Sequence, residues 1–203
     1  DTDSYHIVDR RNSREHRCPV GMGMYLPREM QGINFETAAL PTFTRETDLF
    51  ALAVLIFCLL MNGAHPFSCS INSNVSSTTS FQPIDNIRNG ISPYFSQNSK
   101  IGIPAYAPKI TMMPKELQDL FYKAFVTGHN NPKARPNEAS WYNALARVEK
   151  QLRKCTKNKS HYYYSGLRSC PWCEVEARVN RVKPPQPKQA PYKGPVPVNT
   201  RNR

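Results

Sequence analysis

The sequence predicts a mainly α-helical fold, and three stretches carry that prediction. Residues 49–61 are thirteen consecutive uncharged, apolar positions. The stretches "MPKELQDLFYKAFV" and "RPNEASWYNALARVEKQLRK" instead repeat apolar residues every three or four positions, as a helix with one buried face does. With 203 residues, the chain has room for one sizeable domain and appendages.

The first segment, residues 1–32, is predicted to be rich in loops. It ends in "CPVGMGMYLPREMQG", and its opening "DTDSYHIVDRR" has neither the apolar region nor the cleavage site of a signal peptide. Because the first residue is not Met, we expect this chain to be cut from a longer one.

Residues 49–61 are predicted to form a central helix. At about 1.5 Å per residue they cover roughly 20 Å, which is shorter than the ~30 Å of a bilayer core, so no membrane span is expected. Thr44, Thr47 or Asp48 can cap the first turn, Gly63 can take a left-handed conformation at the end, and Pro66 stops the helix. A short helix that is apolar all round is expected to be surrounded by other elements of the same chain.

The middle segment, residues 68–113, is predicted to be a polar surface excursion with a short helix near "PIDNIRNG". Two amphipathic helices follow, the first with Pro114 in its first turn and Gly128 as its stop. The residues predicted to point inward are Leu117, Leu120, Phe121, Ala124, Phe125, Trp141, Leu145, Val148 and Leu152.

Charge and cysteine usage indicate where the chain works. Of the six cysteines, only the last three cluster, a pattern that suits a reducing cytoplasm better than a disulfide framework. The formal net charge is +12, and residues 178–203 hold seven Lys or Arg and no acid. We expect residues 179–203 to be a disordered, Pro-rich tail, either a spacer or a contact for an acidic partner, acidic lipid or nucleic acid.

Four residues near the end have the composition of a metal site. Cys155, His161, Cys170 and Cys173 follow the pattern C-x5-H-x8-C-x2-C. A Cys pair two apart can hold one zinc ion, and two further sulfur or nitrogen ligands complete a tetrahedral structural site. A redox pair or unliganded cysteines are the alternatives, although no βαβ pattern surrounds the pair. A hairpin at "YYYSGL" is expected to bring the two halves together.

Three fragments, in order, resemble the carboxy-terminal lobe of protein kinases. "CPVGMGMYLPREMQG" is similar to the end of a kinase activation segment with its Ala-Pro-Glu motif. "TDLFALAVLIFCLLMNGAHPF" is similar to the kinase F helix, and "HNNPKARPNEASWYNAL" to the Asp-Pro-x-x-Arg-Pro segment before the last major helix. The chain also resembles bacterial kinase-like proteins that carry a Cys-Pro-Trp-Cys segment after the lobe.

The resemblance implies roles for four residues. Asp48 is expected to accept hydrogen bonds from catalytic-loop amides, and Glu29 and Arg135 to form a buried ion pair between the activation segment and the lower helices. Asp1 is expected to be the magnesium ligand that serves ATP, although Thr2 and Asp3 replace the Phe and Gly of the family motif.

The resemblance also implies the division and activity of the chain. Residues 1–154 are predicted to be the carboxy-terminal lobe of a serine/threonine protein kinase-like enzyme that uses ATP to phosphorylate a protein substrate, with a zinc-finger-like segment at 155–178. The Gly-rich loop, strand Lys and catalytic His-Arg-Asp would precede Asp1, so this chain alone is not expected to transfer phosphate. The alternatives are a pseudokinase or scaffold module and a zinc-ribbon nucleic-acid binder.

Overall fold

The computed structural model describes residues 5–36, 40–72 and 81–182, so residues 183–203 of the predicted tail lie outside it, whereas residues 179–182 belong to a helix. The described part is helix-rich with three two-stranded antiparallel sheets, β1-β2, β3-β4 and β5-β6. In chain order the elements are β1 (Ile7–Asp9), β2 (Arg14–His16), α1 (Arg45–Leu60), β3 (Ser70–Ile71), α2 (Pro83–Asn89), β4 (Ile101–Gly102), α3 (Lys115–Tyr122), a π-helical segment (Lys123–Thr127), α4 (Gly128–Asn130), α5 (Glu138–Glu149), β5 (Leu152–Lys154), β6 (Tyr162–Tyr164) and α6 (Pro171–Val182).

Local chemistry fixes both ends of α1. Thr44 is the N-cap, because its hydroxyl accepts from the Thr47 backbone N–H at 3.3 Å while the Thr47 hydroxyl accepts from the Thr44 N–H at 2.9 Å. At the other end, Gly63 has a φ of 77°, and its N–H donates to the Cys58 carbonyl at 2.9 Å. The predicted central helix is therefore confirmed, with Thr44 as the cap.

One face of α1 is open to solvent. Phe50 and Phe57 are buried, but Leu55 is 48% exposed and Leu59 is 83% exposed. These two leucines are four positions apart and therefore share a face. The prediction that other elements surround α1 is therefore wrong within the described residues. An apolar composition shows only that burial of the helix would be favourable. It does not show that another segment of the chain covers each face.

Aromatic side chains form the centre of the core. The Phe57 ring lies edge-on to Tyr94 at 4.8 Å and to Phe121 at 5.0 Å between ring centroids. Trp141 on α5 lies 4.7 Å from Phe121 on α3, so these contacts join α1, α3 and α5. Of the residues predicted to point inward, Leu117, Phe121, Ala124, Phe125 and Trp141 are buried, and Leu120, Leu145 and Val148 pack against the core while partly exposed.

The ends of the two amphipathic helices differ from the prediction. Helix α5 ends at Glu149, and Leu152 lies instead in β5, opposite Tyr164 and 43% exposed. Gly128 does not stop the first helix, because the helical path runs through the π-helical segment and α4 to Asn130.

Gly128 has a different role. A Cβ at that position would lie 2.6 Å from the Arg135 Cγ and 2.8 Å from the Lys123 carbonyl oxygen. Only glycine therefore leaves room for the Arg135 side chain to cross the helix here.

The middle segment is tied to the core in its described part. Helix α2 is present as predicted and ends at Gly90, which has a φ of 68°. The buried Asn86 donates from Nδ2 to the carbonyls of Phe67 at 2.8 Å and Phe81 at 3.0 Å, while the neighbouring Ile87 is fully buried in the core. Residues 73–80 lie outside the described part.

The six cysteines form no disulfide in the described part of the chain. Burial raises the pKa of the Cys58 thiol and raises that of Cys69 to about 11, so both are protonated at neutral pH. Over the described ranges, no helix is both long and apolar enough to cross a membrane.

His65 is a buried neutral imidazole that bridges two segments. Its Nδ1 accepts from the Phe67 backbone N–H at 3.2 Å, and its Nε2 lies 2.9 Å from the Met24 carbonyl, to which it donates. Both contacts suit the tautomer with hydrogen on Nε2, because a proton on Nδ1 would face another donor. Burial lowers the pKa of His65 below its usual 6.5.

This arrangement predicts a loss of stability in acid. Because the pKa is lower in the folded state, the unfolded chain binds more protons between the two pKa values, so stability is lost as pH falls below 6.5. The cost is at most about 1.4 kcal/mol per pH unit. In urea unfolding between pH 8 and 5, His65→Asn should start less stable than the parent but fall less steeply. Equal slopes would contradict this assignment.

Candidate functional site

Arg135 joins three parts of the chain at one buried point. Its two terminal nitrogens donate to the Glu29 carboxylate, at 2.7 Å to Oε1 and 2.9 Å to Oε2. A further bond from the same guanidinium reaches the Glu46 carbonyl at 2.7 Å, and Nε donates to the Gly128 carbonyl at 3.1 Å. The Arg135 side chain is fully buried, whereas that of Glu29 is 36% exposed.

Short turns present the two partners. Glu29 lies in the 3₁₀ turn Arg28–Met30, and Arg135 directly follows the 3₁₀ turn Pro132–Ala134. The guanidinium also lies 5.4 Å from the centroid of the Phe50 ring. The sequence predicted the pair of Glu29 and Arg135 but not the contacts of Arg135 with carbonyl groups and with the Phe50 ring. A glycine at position 128, seven residues before Arg135, was the sequence signal for the contact with the Gly128 carbonyl.

Asp48 is present but lacks the donors that the resemblance implies. It lies in the first turn of α1 and is exposed, and its carboxylate has no hydrogen bond to any residue in the described part. Partial burial raises the pKa of Asp48, while the charge of His6 acts in the opposite direction. Asp1, the magnesium-ligand candidate, lies outside the described residues.

The four predicted metal ligands come together. The ligand atoms of Cys155, His161, Cys170 and Cys173 all lie within 4.8 Å of one another. The Cys155 and Cys173 sulfurs are 3.7 Å apart, and His161 Nδ1 lies 3.6 Å from the Cys170 sulfur and 3.6 Å from the Cys173 sulfur. A tetrahedral zinc ion with bonds of about 2.0–2.3 Å sets its sulfur and nitrogen ligands roughly 3.5–3.8 Å apart.

A hairpin and a helix position this cluster. Strands β5 and β6 pair in antiparallel register, Lys154 opposite Tyr162, and the Cys155 N–H donates to the His161 carbonyl at 2.9 Å. Cys170 directly precedes α6 and Cys173 lies in its first turn. The indole N–H of Trp172 donates to the Tyr162 carbonyl at 2.8 Å, which fastens the helix to the hairpin.

Outer contacts orient the imidazole. His161 presents Nδ1 to the sulfurs, while its Nε2 lies 3.2 Å from the Glu176 carboxylate and 3.1 Å from Asn158 Nδ2. Asn158 also donates to Glu176 at 3.3 Å. A carboxylate behind a histidine ligand fixes its tautomer and raises its basicity. The sequence analysis missed Glu176, although it lies three positions after Cys173 and so on the same side of α6.

Backbone donors favour a thiolate at one end of the cluster. The N–H groups of Asn158 and Lys157 lower the pKa of Cys155 to about 7. Burial, with the neighbouring thiols, raises the pKa of Cys173 to about 12 in the metal-free protein. Cys155 is thus ready to ionise near neutral pH, whereas Cys173 must release its proton when the ion binds.

The CxxC pair does open a helix, as redox pairs do, yet its surroundings favour a metal. Three sulfurs and an imidazole nitrogen converge here, and this soft donor set suits zinc. The Cys/His cluster can hold a metal ion.

The described part is therefore a helix-rich lobe in which the buried Arg135 bonds to the partly exposed Glu29, with a Cys/His cluster that can hold a metal. The chain is similar to "Protein kinase YegI" of Escherichia coli O157:H7 and of Escherichia coli K12, at 30% identity over 190 residues in each case. The match covers 87% of this chain, and the chain spans only 26% of the length of these curated relatives. No family model and no solved structure match. The similarity supports a kinase-like family.

Proposed function

We propose that this chain is the carboxy-terminal lobe of a serine/threonine protein kinase-like domain, continued by a zinc-stabilised extension. In the complete domain, Asp1 would hold a magnesium ion, and that ion would offset the negative charge of the ATP phosphates during transfer to a protein hydroxyl. The cysteines form no disulfide among the described residues, which is the pattern expected of the reducing, cytoplasmic setting that the proposal requires.

The bond between Glu29 and Arg135 carries this proposal. Its members lie 106 positions apart, one in the segment similar to the Ala-Pro-Glu motif and one in the segment similar to Asp-Pro-x-x-Arg-Pro. The pair meets through two parallel hydrogen bonds, the geometry in which an arginine fork and a carboxylate interact most strongly. If Glu29 and Arg135 were unrelated surface charges, the Arg135 guanidinium would be exposed to solvent, because arginine is rarely fully buried without a partner.

The open face of α1 supports the same proposal. Leu55 and Leu59 are exposed, and Asp48 near the start of the same helix has a raised pKa and no hydrogen-bond donor among the described residues. An apolar face and a carboxylate with a raised pKa on one helix suit a covering segment that supplies both apolar side chains and backbone N–H groups. In the proposal, that segment holds the catalytic loop.

We propose that the Cys/His cluster holds one zinc ion in a structural role. A tetrahedral ion has four ligand positions, and these would be filled by Cys155, His161, Cys170 and Cys173, which would leave none for water or substrate. The ion would join the hairpin β5-β6 to the start of α6 and leave catalysis to the lobe.

Kinase activity is tested in a protein that contains this chain with the sequence encoded ahead of it. With magnesium, ATP labelled at the γ-phosphate and a general protein substrate, we expect transfer to serine or threonine. Asp1→Asn should lower transfer by about a hundredfold or more, the scale of losing a main electrostatic stabiliser. The matched control Asp3→Asn should retain most of it.

Absence of both transfer and magnesium-dependent ATP binding in that longer protein would overturn the catalytic assignment. A helix-rich lobe of this kind would then serve as an interaction module. Transfer to tyrosine alone would correct the serine/threonine assignment and leave the kinase assignment in place.

A further inference from the structure

A cavity lies where the Cys/His extension meets the helical lobe. Its volume is about 720 Å³, within the range of sites that hold small organic molecules. Pro108 and Met112 line it from the lobe, and the first turns of α6 line it from the extension. We call this space the junction cleft.

The junction cleft is strongly positive. One acid, Glu174, lines it, and the Ser169 hydroxyl donates to that carboxylate. Five cationic side chains line it: Lys109, Lys157, Arg168, Arg178 and Arg181. Apart from Arg178, none of them has a side-chain hydrogen bond or ion pair with the part of the chain that the structure describes. A zinc ion together with three thiolates and a neutral histidine would carry a net charge of about −1, so the lining of the cleft would remain positive overall.

Arg178 is the least exposed of these cations, and one of its nitrogens lacks a hydrogen-bond partner among the described residues. One terminal nitrogen donates to the Ala107 carbonyl at 2.8 Å, which ties α6 to the lobe. Its Nε is buried and has no hydrogen-bond partner among the described residues. A buried donor without a partner is costly, so an acceptor brought by a ligand would be stabilised here.

The rest of the lining is apolar. Met112, Leu167 and Val175 line the junction cleft together with the ring of Tyr163. The Arg153 guanidinium already lies 4.7 Å from the centroid of that ring. A ligand that fits has an anionic end for the cations and an apolar or aromatic body for these side chains.

We propose that the junction cleft binds a small organic phosphate, such as a mononucleotide. Arginine and lysine side chains bind phosphate oxygens through charge-assisted hydrogen bonds. Residues 183–203 hold no acidic side chain, so they offer no side-chain carboxylate to these cations. A compact cavity favours a small ligand over a polynucleotide, which needs a track of positive charge along its backbone.

The experiment is calorimetric titration of the zinc-loaded chain with adenosine 5′-monophosphate, compared with adenosine and inorganic phosphate. We expect the nucleotide to bind more tightly than either part alone. The double variant Lys109→Gln with Arg181→Gln should weaken its binding at least about tenfold, since each lost charge-assisted contact contributes on the order of that factor. Both side chains are exposed, so the variant should fold normally. Lys133→Gln removes an exposed lysine outside the cleft and should bind as the parent does.

Three outcomes would overturn the proposal: no binding of the nucleotide, equal weakening in Lys133→Gln, or equal affinity for adenosine. A single-stranded oligonucleotide that binds more tightly through the same two cations would replace the small ligand with a nucleic acid. Because this chain alone is titrated, the result does not depend on kinase activity.

Discussion

Replacing Arg135 with alanine is expected to lower the free energy of unfolding of the helical lobe by about 3–5 kcal/mol. The side chain is fully buried and bonds to Glu29, to the Glu46 carbonyl and to the Gly128 carbonyl. Alanine leaves a carboxylate without its partner, removes a donor from two carbonyls and opens a void beside the Phe50 ring. Urea unfolding followed by circular dichroism measures the change.

A matched control separates this effect from the loss of any ion pair. Arg45 and Glu138 also form an ion pair at 2.7 Å, but their side chains are 64% and 58% exposed, so Arg45→Ala should cost no more than about 1 kcal/mol. Adding Glu29→Gln to Arg135→Ala should recover part of the loss, because it removes the unpaired charge. The prediction is contradicted if Arg135→Ala and Arg45→Ala lower the free energy of unfolding equally, or if the effects of Glu29→Gln and Arg135→Ala are strictly additive. Either result would show that the pair of Arg135 and Glu29 does not stabilise the lobe.

Removal of zinc is expected to have the second large effect. The protein purified without chelator should contain about one equivalent of zinc, and Cys170→Ser or a chelator should remove it. Order in residues 152–182 should be lost with the ion, as measured by amide hydrogen exchange, because the cluster joins β5, β6 and α6. The lobe should remain folded, since its aromatic core is built from α1, α3 and α5.

Two further variants serve as controls for the predicted loss of zinc. Cys69→Ser changes a cysteine outside the cluster and should retain the full zinc content. Glu176→Gln weakens only the support behind His161 and should reduce zinc affinity by about 10–100-fold without abolishing binding. Elemental analysis that finds no metal in the parent protein, or equal zinc content in Cys170→Ser and the parent, would reject the zinc site.

The parts of this fold that follow from local chemistry could be predicted from the sequence. The Thr44 cap and the left-handed Gly63 act within a few positions of α1, and Gly90 ends α2 in the same way. The Cys/His spacing likewise named all four members of the cluster, because ligand chemistry restricts the residue types. The prediction was wrong at Leu152, where pairing with β6 outweighed helical periodicity, and at Gly128, where glycine makes room for the Arg135 side chain and does not end the helix.

The sequence by itself determined which residues can cap, bury or ligate, since these properties belong to side chains and their near neighbours. Only the tertiary structure decided which of them meet. Arg135 bonds to Glu29, which lies 106 positions earlier in the chain, and the Glu176 carboxylate lies beside His161. Five cationic side chains line the junction cleft. These residues meet because the packing of the helices brings distant segments together. It also decided that Leu55 and Leu59 stay exposed while Phe57 is buried. The hydrophobic effect makes burial of all three favourable, but a side chain is covered only where another segment packs against it.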